Sequence, residues 1–143
     1  MPYPPAFHAF VIALFALFLK VTLTSMLQVA ARFRSRAFTT PEDAALLGVK
    51  PSARETDLVQ RCAAVWRNDG ENLPLFLALA LAYVLSGGTA GSAQVLFGAY
   101  VALRYAHTAV YLLGLQPWRA IMYLSGMAVC WIIAARIALQ LFA

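Results

Sequence analysis

The chain reads as an all-α membrane protein, an integral four-helix bundle, and three observations predict it. Of its 143 residues, 62% are hydrophobic and 12% charged, which is more apolar surface than one soluble domain of this length carries. Four runs, at about 6–31, 57–85, 92–113 and 118–142, each reach the roughly 20 residues that a helix needs to cross a hydrocarbon core. The positive charge is lopsided: Arg32, Arg34, Arg36, Lys50, Arg54, Arg61 and Arg67 crowd into and beside the connection 32–56. The net charge of +5 therefore has a topological meaning and is not a footprint for nucleic acid. By the positive-inside rule the connection 32–56 is cytoplasmic. An even number of spans then leaves both ends of the chain on the far side. The turn at 114–117, beside Arg119, returns to the cytoplasm, and the whole of 1–143 forms one domain.

The first run lacks the charged amino-terminal region of a secretory signal peptide and is longer than its apolar segment, so it reads as a span. Lys20 lies near its middle, where an ionisable side chain marks either a functional group or a partner for a carbonyl or hydroxyl inside the bundle. With no acidic partner expected at the centre of another span, Lys20 argues weakly against a transporter. Beyond the stripe of Arg32, Arg34 and Arg36 comes a helix-start signal, Thr40 as N-cap and Pro41 at the first helical position. Gly48, Pro51 and Ser52 form the loop into the second run. All six acidic residues fall between Glu42 and Glu71, so one end of the bundle is rich in both signs of charge and the other nearly uncharged.

The second run changes character along its length. Its first half carries Asp57, Arg61, Arg67, Asn68, Asp69 and Glu71, and from Leu73 onward it is apolar. The polar half must face a cleft or water, and Pro74 at the junction is expected to bend or loosen the helix because it lacks a backbone donor. Residues 86–91, Ser-Gly-Gly-Thr-Ala-Gly, make a tight turn. The third run carries Arg104, His107 and Tyr111 at i, i+3 and i+7, a polar stripe on one helix face. The fourth opens with Pro117, Trp118 and Arg119 and places Tyr123 one turn further along. Cys62 and Cys130 fall in different spans at mismatched depths, which predicts two packed thiols and no disulfide.

Arg67 and Glu71 share a helix face with Asn68 beside them, so a cation, an amide and a carboxylate stand together. With Arg104, Tyr111, Arg119 and Tyr123 at the same membrane depth, the set suits a small ligand bearing carboxylates and an ammonium group, since guanidinium grips carboxylate bidentately. The same residues also permit a plainer reading in which they pair with one another to join helices. Only two histidines, His8 and His107, are present and they lie at opposite ends, so no metal site is expected. His107 by itself reads first as a packing residue. No serine triad, P-loop or dinucleotide motif occurs.

The segments RCAAVWRNDGEN (61–72), RYAHTAVYL (104–112), PWRAIMY (117–123) and AFTTPEDA (37–44), in that order within four runs, resemble the MAPEG family of membrane-associated glutathione-dependent proteins. The likeness is to its prostaglandin E synthase and microsomal glutathione transferase branch. The resemblance implies a homotrimer of twelve transmembrane helices with glutathione in each of three clefts between neighbouring subunits. By motif it assigns Arg67, Asn68, Glu71, Arg104, His107, Tyr111, Arg119 and Tyr123 to the glutathione site, with Arg32 supplied by the adjacent subunit. Lys20 also falls where the synthase branch carries a lysine. The chain departs from the family pattern at Gln60, Ala64, Trp66 and Ala120, which occupy positions of a glutamate, an arginine, a histidine and the synthase's serine.

Those departures put prostaglandin isomerisation in doubt, so the expected activity is a glutathione S-transferase, with peroxidase chemistry open and a prostaglandin E synthase-like isomerase as a second alternative. Arg119 is the expected thiolate stabiliser and Tyr111 the expected hydrogen-bond partner in catalysis. A lipophilic electrophile or hydroperoxide would arrive from the lipid. The rival reading is a non-catalytic lipid-binding or scaffold member of the family. Compact connections and the lack of a retention tail predict a bacterial inner membrane, with the active site facing the cytoplasm.

Overall fold

The computed structural model describes residues 3–142. They form five helices, α1 (Phe7–Ser35), α2 (Pro41–Leu46), α3 (Asp57–Leu85), α4 (Ala90–Leu113) and α5 (Trp118–Phe142), and no strand among the described residues. The four long helices begin and end close to the four apolar runs. The largest difference is at α1, which continues past residue 31 to Ser35 and carries Arg32 and Arg34 in its last turn, where cations complement the negative end of the helix dipole. Arg36 ends it in the left-handed region at φ 52°, its N–H donating to Arg32 O at 2.9 Å. Helix α2 has Thr40 as N-cap and Pro41 in its first turn, as the sequence predicts. Thr40 Oγ1 donates to the Asp43 carboxylate at 2.6 Å.

Helix α3 runs unbroken through Pro74. Side chains add hydrogen bonds beside the proline: Asn72 Nδ2 donates to Asn68 O at 2.7 Å, and the Tyr100 hydroxyl of α4 donates to Asn72 O at 3.2 Å. Helices α3 and α4 touch each other and lie at the centre, α1 packs on both, α5 packs on both, and α1 and α5 do not meet. Ala9, Ala13, Ala80 and Ala93 are buried at these contacts and let the backbones approach closely. Phe76 stacks on Tyr100 with centroids 3.8 Å apart and meets Phe97 edge-on at 5.9 Å.

Helices α1 and α5 are each long and apolar enough to cross a membrane, and their outer faces expose Phe15, Phe18, Met26, Trp131 and Leu139. An unpaired row of large apolar side chains on a folded helix is stable against lipid, not water. Both cysteines are free and buried, as expected.

Candidate active site

The polar half of α3 divides its side chains by direction, because successive residues on a helix point about 100° apart. Arg67 and Glu71, one turn apart, project outward and are exposed, whereas Asp69 points inward and is buried. Asn68 lies between the two directions and is half-buried. Helix α4 brings His107 and Tyr111 opposite this face, and the first turns of α5 bring Arg119, Ala120 and Tyr123. Together with Ala64 these residues line a cleft of about 480 Å³, inside the size range of small-ligand sites. A second cleft of about 480 Å³, lined by Arg54, Asp57, Gln60, Arg61 and Gly114, shares Ala64, Tyr111 and Arg119 with the first. The two form one groove along the charged end of the molecule.

Arg119 occupies an unusual position for a cation. It lies in the opening turn of α5, where the helix dipole disfavours positive charge. Its guanidinium lies over the Tyr111 ring, 4.7 Å from the centroid, and the Gln116 carboxamide, in the orientation that satisfies both groups, accepts from its Nε at 3.0 Å and Nη2 at 2.7 Å. Aromatic face and amide oxygen hold the cation without neutralising it. Among the described residues, Arg67, Glu71 and Arg119 make no ion pair. The cleft therefore presents two guanidinium groups and one carboxylate ready for an incoming ligand. Tyr111 also meets His107 edge to face at 5.7 Å.

Behind the cleft lies a second set of charges, and here an expectation is corrected. Lys20 does have an acidic partner at the centre of another helix: its ammonium donates to Asp69 Oδ2, both groups almost fully buried. Sequence spacing gave no hint, because the two are 49 positions apart and meet only when α1 packs on α3. Arg104 is also buried and does not line the cleft. Its Nη2 donates to Asp69 Oδ1 at 2.7 Å and to Asn68 Oδ1. His107 is buried with Nδ1 unpaired, and Arg104 Nε and Thr108 Oγ1 are likewise buried without partners. Arg32 stands apart from the cleft of its own chain, in an ion pair with Glu55 at 2.7 Å.

Arg61 has a role the sequence did not disclose. Its Nη1 donates to Leu112 O at 2.9 Å, capping the carboxyl end of α4 beside Gly114, whose φ is +72°. No group of three or more metal-ligating side chains occurs among the described residues.

A family model for MAPEG matches residues 10–139. The chain belongs to the MAPEG family. Its relatives include the prostaglandin E synthase of Homo sapiens, 33% identical over 138 residues, covering 96% of this chain and 88% of that protein. The microsomal glutathione S-transferase 1 of Homo sapiens is 34% identical over 123 residues, covering 82% and 79%, and that of Bos taurus is 36% identical over 111 residues, covering 74% and 72%. MAPEG membership and the two long apolar helices make this a membrane protein.

Proposed function

We propose that this chain is a membrane-embedded glutathione S-transferase that attacks lipophilic electrophiles through an arginine-stabilised thiolate. The observation that carries the proposal is the cleft in which Arg67, Glu71 and Arg119 gather, unpaired, around Asn68, Tyr111 and Tyr123. A chain that merely joined its helices with these residues would pair them with one another. Glutathione carries two carboxylates, an ammonium group and a thiol. Arg67 and Asn68 suit a carboxylate and Glu71 suits the ammonium. Arg119 suits the sulfur.

The chemistry follows from charge. A free thiol titrates near ~8.5, so only a small fraction is thiolate at neutral pH, and an adjacent guanidinium favours the anion. Arg119 supplies that guanidinium, and the Tyr111 hydroxyl is positioned on the same wall to donate to sulfur. The thiolate forms a C–S bond with an electrophilic carbon, and the leaving group departs with its electron pair. With a hydroperoxide the same thiolate attacks the outer oxygen and breaks the O–O bond, releasing the alcohol and leaving a sulfenic acid, which a second glutathione converts to the disulfide with loss of water. Ala64 and Ala120 line the cleft where the synthase branch carries an arginine and a serine, so neither position offers a polar group for isomerising a prostaglandin endoperoxide.

Within this reading all four long helices span the membrane, three chains assemble around shared clefts with Arg32 donated across the subunit boundary, and the cleft opens to the cytoplasm of a bacterial inner membrane. Titrating detergent-solubilised protein with glutathione while following ultraviolet thiolate absorption, then adding chlorodinitrobenzene or cumene hydroperoxide, tests the proposal. A thiolate signal followed by turnover supports it. Lipid binding with neither signal nor turnover replaces it with the scaffold reading.

A further inference from the structure

Among the described residues, Asn68 is the one cleft-lining residue hydrogen-bonded to the buried charges behind the cleft, and the direction of that bond carries information. A guanidinium has donors only, so the group it meets must be the Asn68 carbonyl oxygen, as the contact from Arg104 Nη2 to Oδ1 records. With the oxygen consumed, the amide that remains for the cleft is Nδ2, which has no partner among the described residues and offers two donors. A free asparagine can rotate to present either end. This one cannot, because Arg104 is itself held by Asp69 Oδ1 and Asp69 by Lys20 through its other oxygen.

Lys20 and Arg104 supply two positive charges to the single negative charge of Asp69, and among the described residues no other acid is paired with the three. The surplus positive charge is buried directly behind the Asn68 carbonyl. It polarises the amide so that its N–H end becomes a stronger donor toward the cleft. The pair Asp69 and Arg104 would be neutral without Lys20, and a buried neutral pair is less costly to desolvate than a charged triad. Lys20 is therefore not needed to balance charge.

We propose that Lys20, Asp69 and Arg104 are positioning residues that lock the Asn68 carboxamide with its N–H end in the cleft, making it a dedicated donor to an anionic or carbonyl oxygen of the bound peptide and excluding an ammonium group from that position. The proposal rests on the glutathione reading above. It assigns the carboxylate or peptide-carbonyl side of the ligand to Asn68 and leaves the ammonium to Glu71.

The test is a double-mutant cycle on glutathione affinity measured by calorimetry, with thermal unfolding recorded for every variant. Asn68→Ala is expected to weaken binding about tenfold, and Lys20→Met about threefold in the wild-type background but not in the Asn68→Ala background, because Lys20 acts through that amide. An equal loss from Lys20→Met in both backgrounds overturns the proposal. Asn68→Asp supplies an arm that does not depend on the core tolerating a change at Lys20. Its carboxylate keeps the bond to Arg104 but turns an acceptor into the cleft, so affinity is expected to fall at least as far as in Asn68→Ala. Retained or improved affinity in Asn68→Asp means that the ligand presents a donor there, and the proposal fails. Failure of the wild type to bind glutathione instead removes the functional reading and is read separately.

Discussion

Two groups of charges meet at neighbouring residues of α3, Asp69 for one and Arg67 and Glu71 for the other, and behave oppositely. Lys20, Asp69 and Arg104 are buried and ion-paired through Asp69, whereas Arg67, Glu71 and Arg119 line an open cleft and make no ion pair among the described residues. The buried group joins α1, α3 and α4, and its cost of desolvation is offset by mutual pairing. The cleft group does no such joining. Arg67 and Glu71 are spaced for an ion pair along the helix yet do not form one, in the order that gives the weaker pairing. Composition alone does not separate the two groups of charge in this membrane protein. Ion pairing does.

Removing a member of the buried group should produce the largest effect. Asp69→Ala leaves two buried cations without a counter-charge, and a loss of about 3–5 kcal/mol of stability is expected. Thermal unfolding in detergent measures it, and a variant as stable as the wild type would show that water reaches the triad. Arg119→Ala should leave the fold intact and lower turnover with chlorodinitrobenzene about 100-fold, in the range seen when one preorganised donor to developing charge is removed. Arg119→Lys should retain part of that rate because a cation remains. Glutathione affinity should fall less than turnover, since the interaction strengthens as the sulfur becomes anionic. Normal turnover in Arg119→Ala moves the chemistry to Tyr111.

Glu71→Gln should weaken glutathione binding by roughly 1.5–3 kcal/mol, the worth of a hydrogen bond to a charged group, with no change in unfolding temperature. A shift in unfolding with unchanged affinity would transfer Glu71 from the cleft group to the structural group. The smallest effect is expected at the groove's edge. Gly114→Ala puts a methyl group 2.5 Å from Arg61 Nη1 at a backbone φ of +72°, so Arg61 must leave the Leu112 carbonyl. About 1–2 kcal/mol of stability should be lost, read by chemical denaturation, and an unchanged midpoint would mean that the arginine cap contributes nothing.

The four long helices were legible in the sequence to within a few residues, because each follows a long, largely apolar run bounded by turn signals. The short helix after Thr40 was legible too, from the proline at its first position. The grouping of Arg67, Asn68 and Glu71 was legible for the same reason, being set by helical period alone, and the family motifs added Tyr111, Arg119 and Tyr123 on other helices. Which partner each charge meets was not legible there. Lys20 and Asp69 meet across a packing contact between α1 and α3 that no local spacing encodes. The withdrawal of Arg104 from the cleft to hold Asn68, and the use of Arg61 as a cap on α4, depend likewise on which side chains face each other once the helices dock. Periodicity specifies the face on which a side chain lies. The neighbour that satisfies it is set by long-range packing, and in a low-dielectric interior that neighbour determines whether a charge is paired within the fold or left to line the cleft.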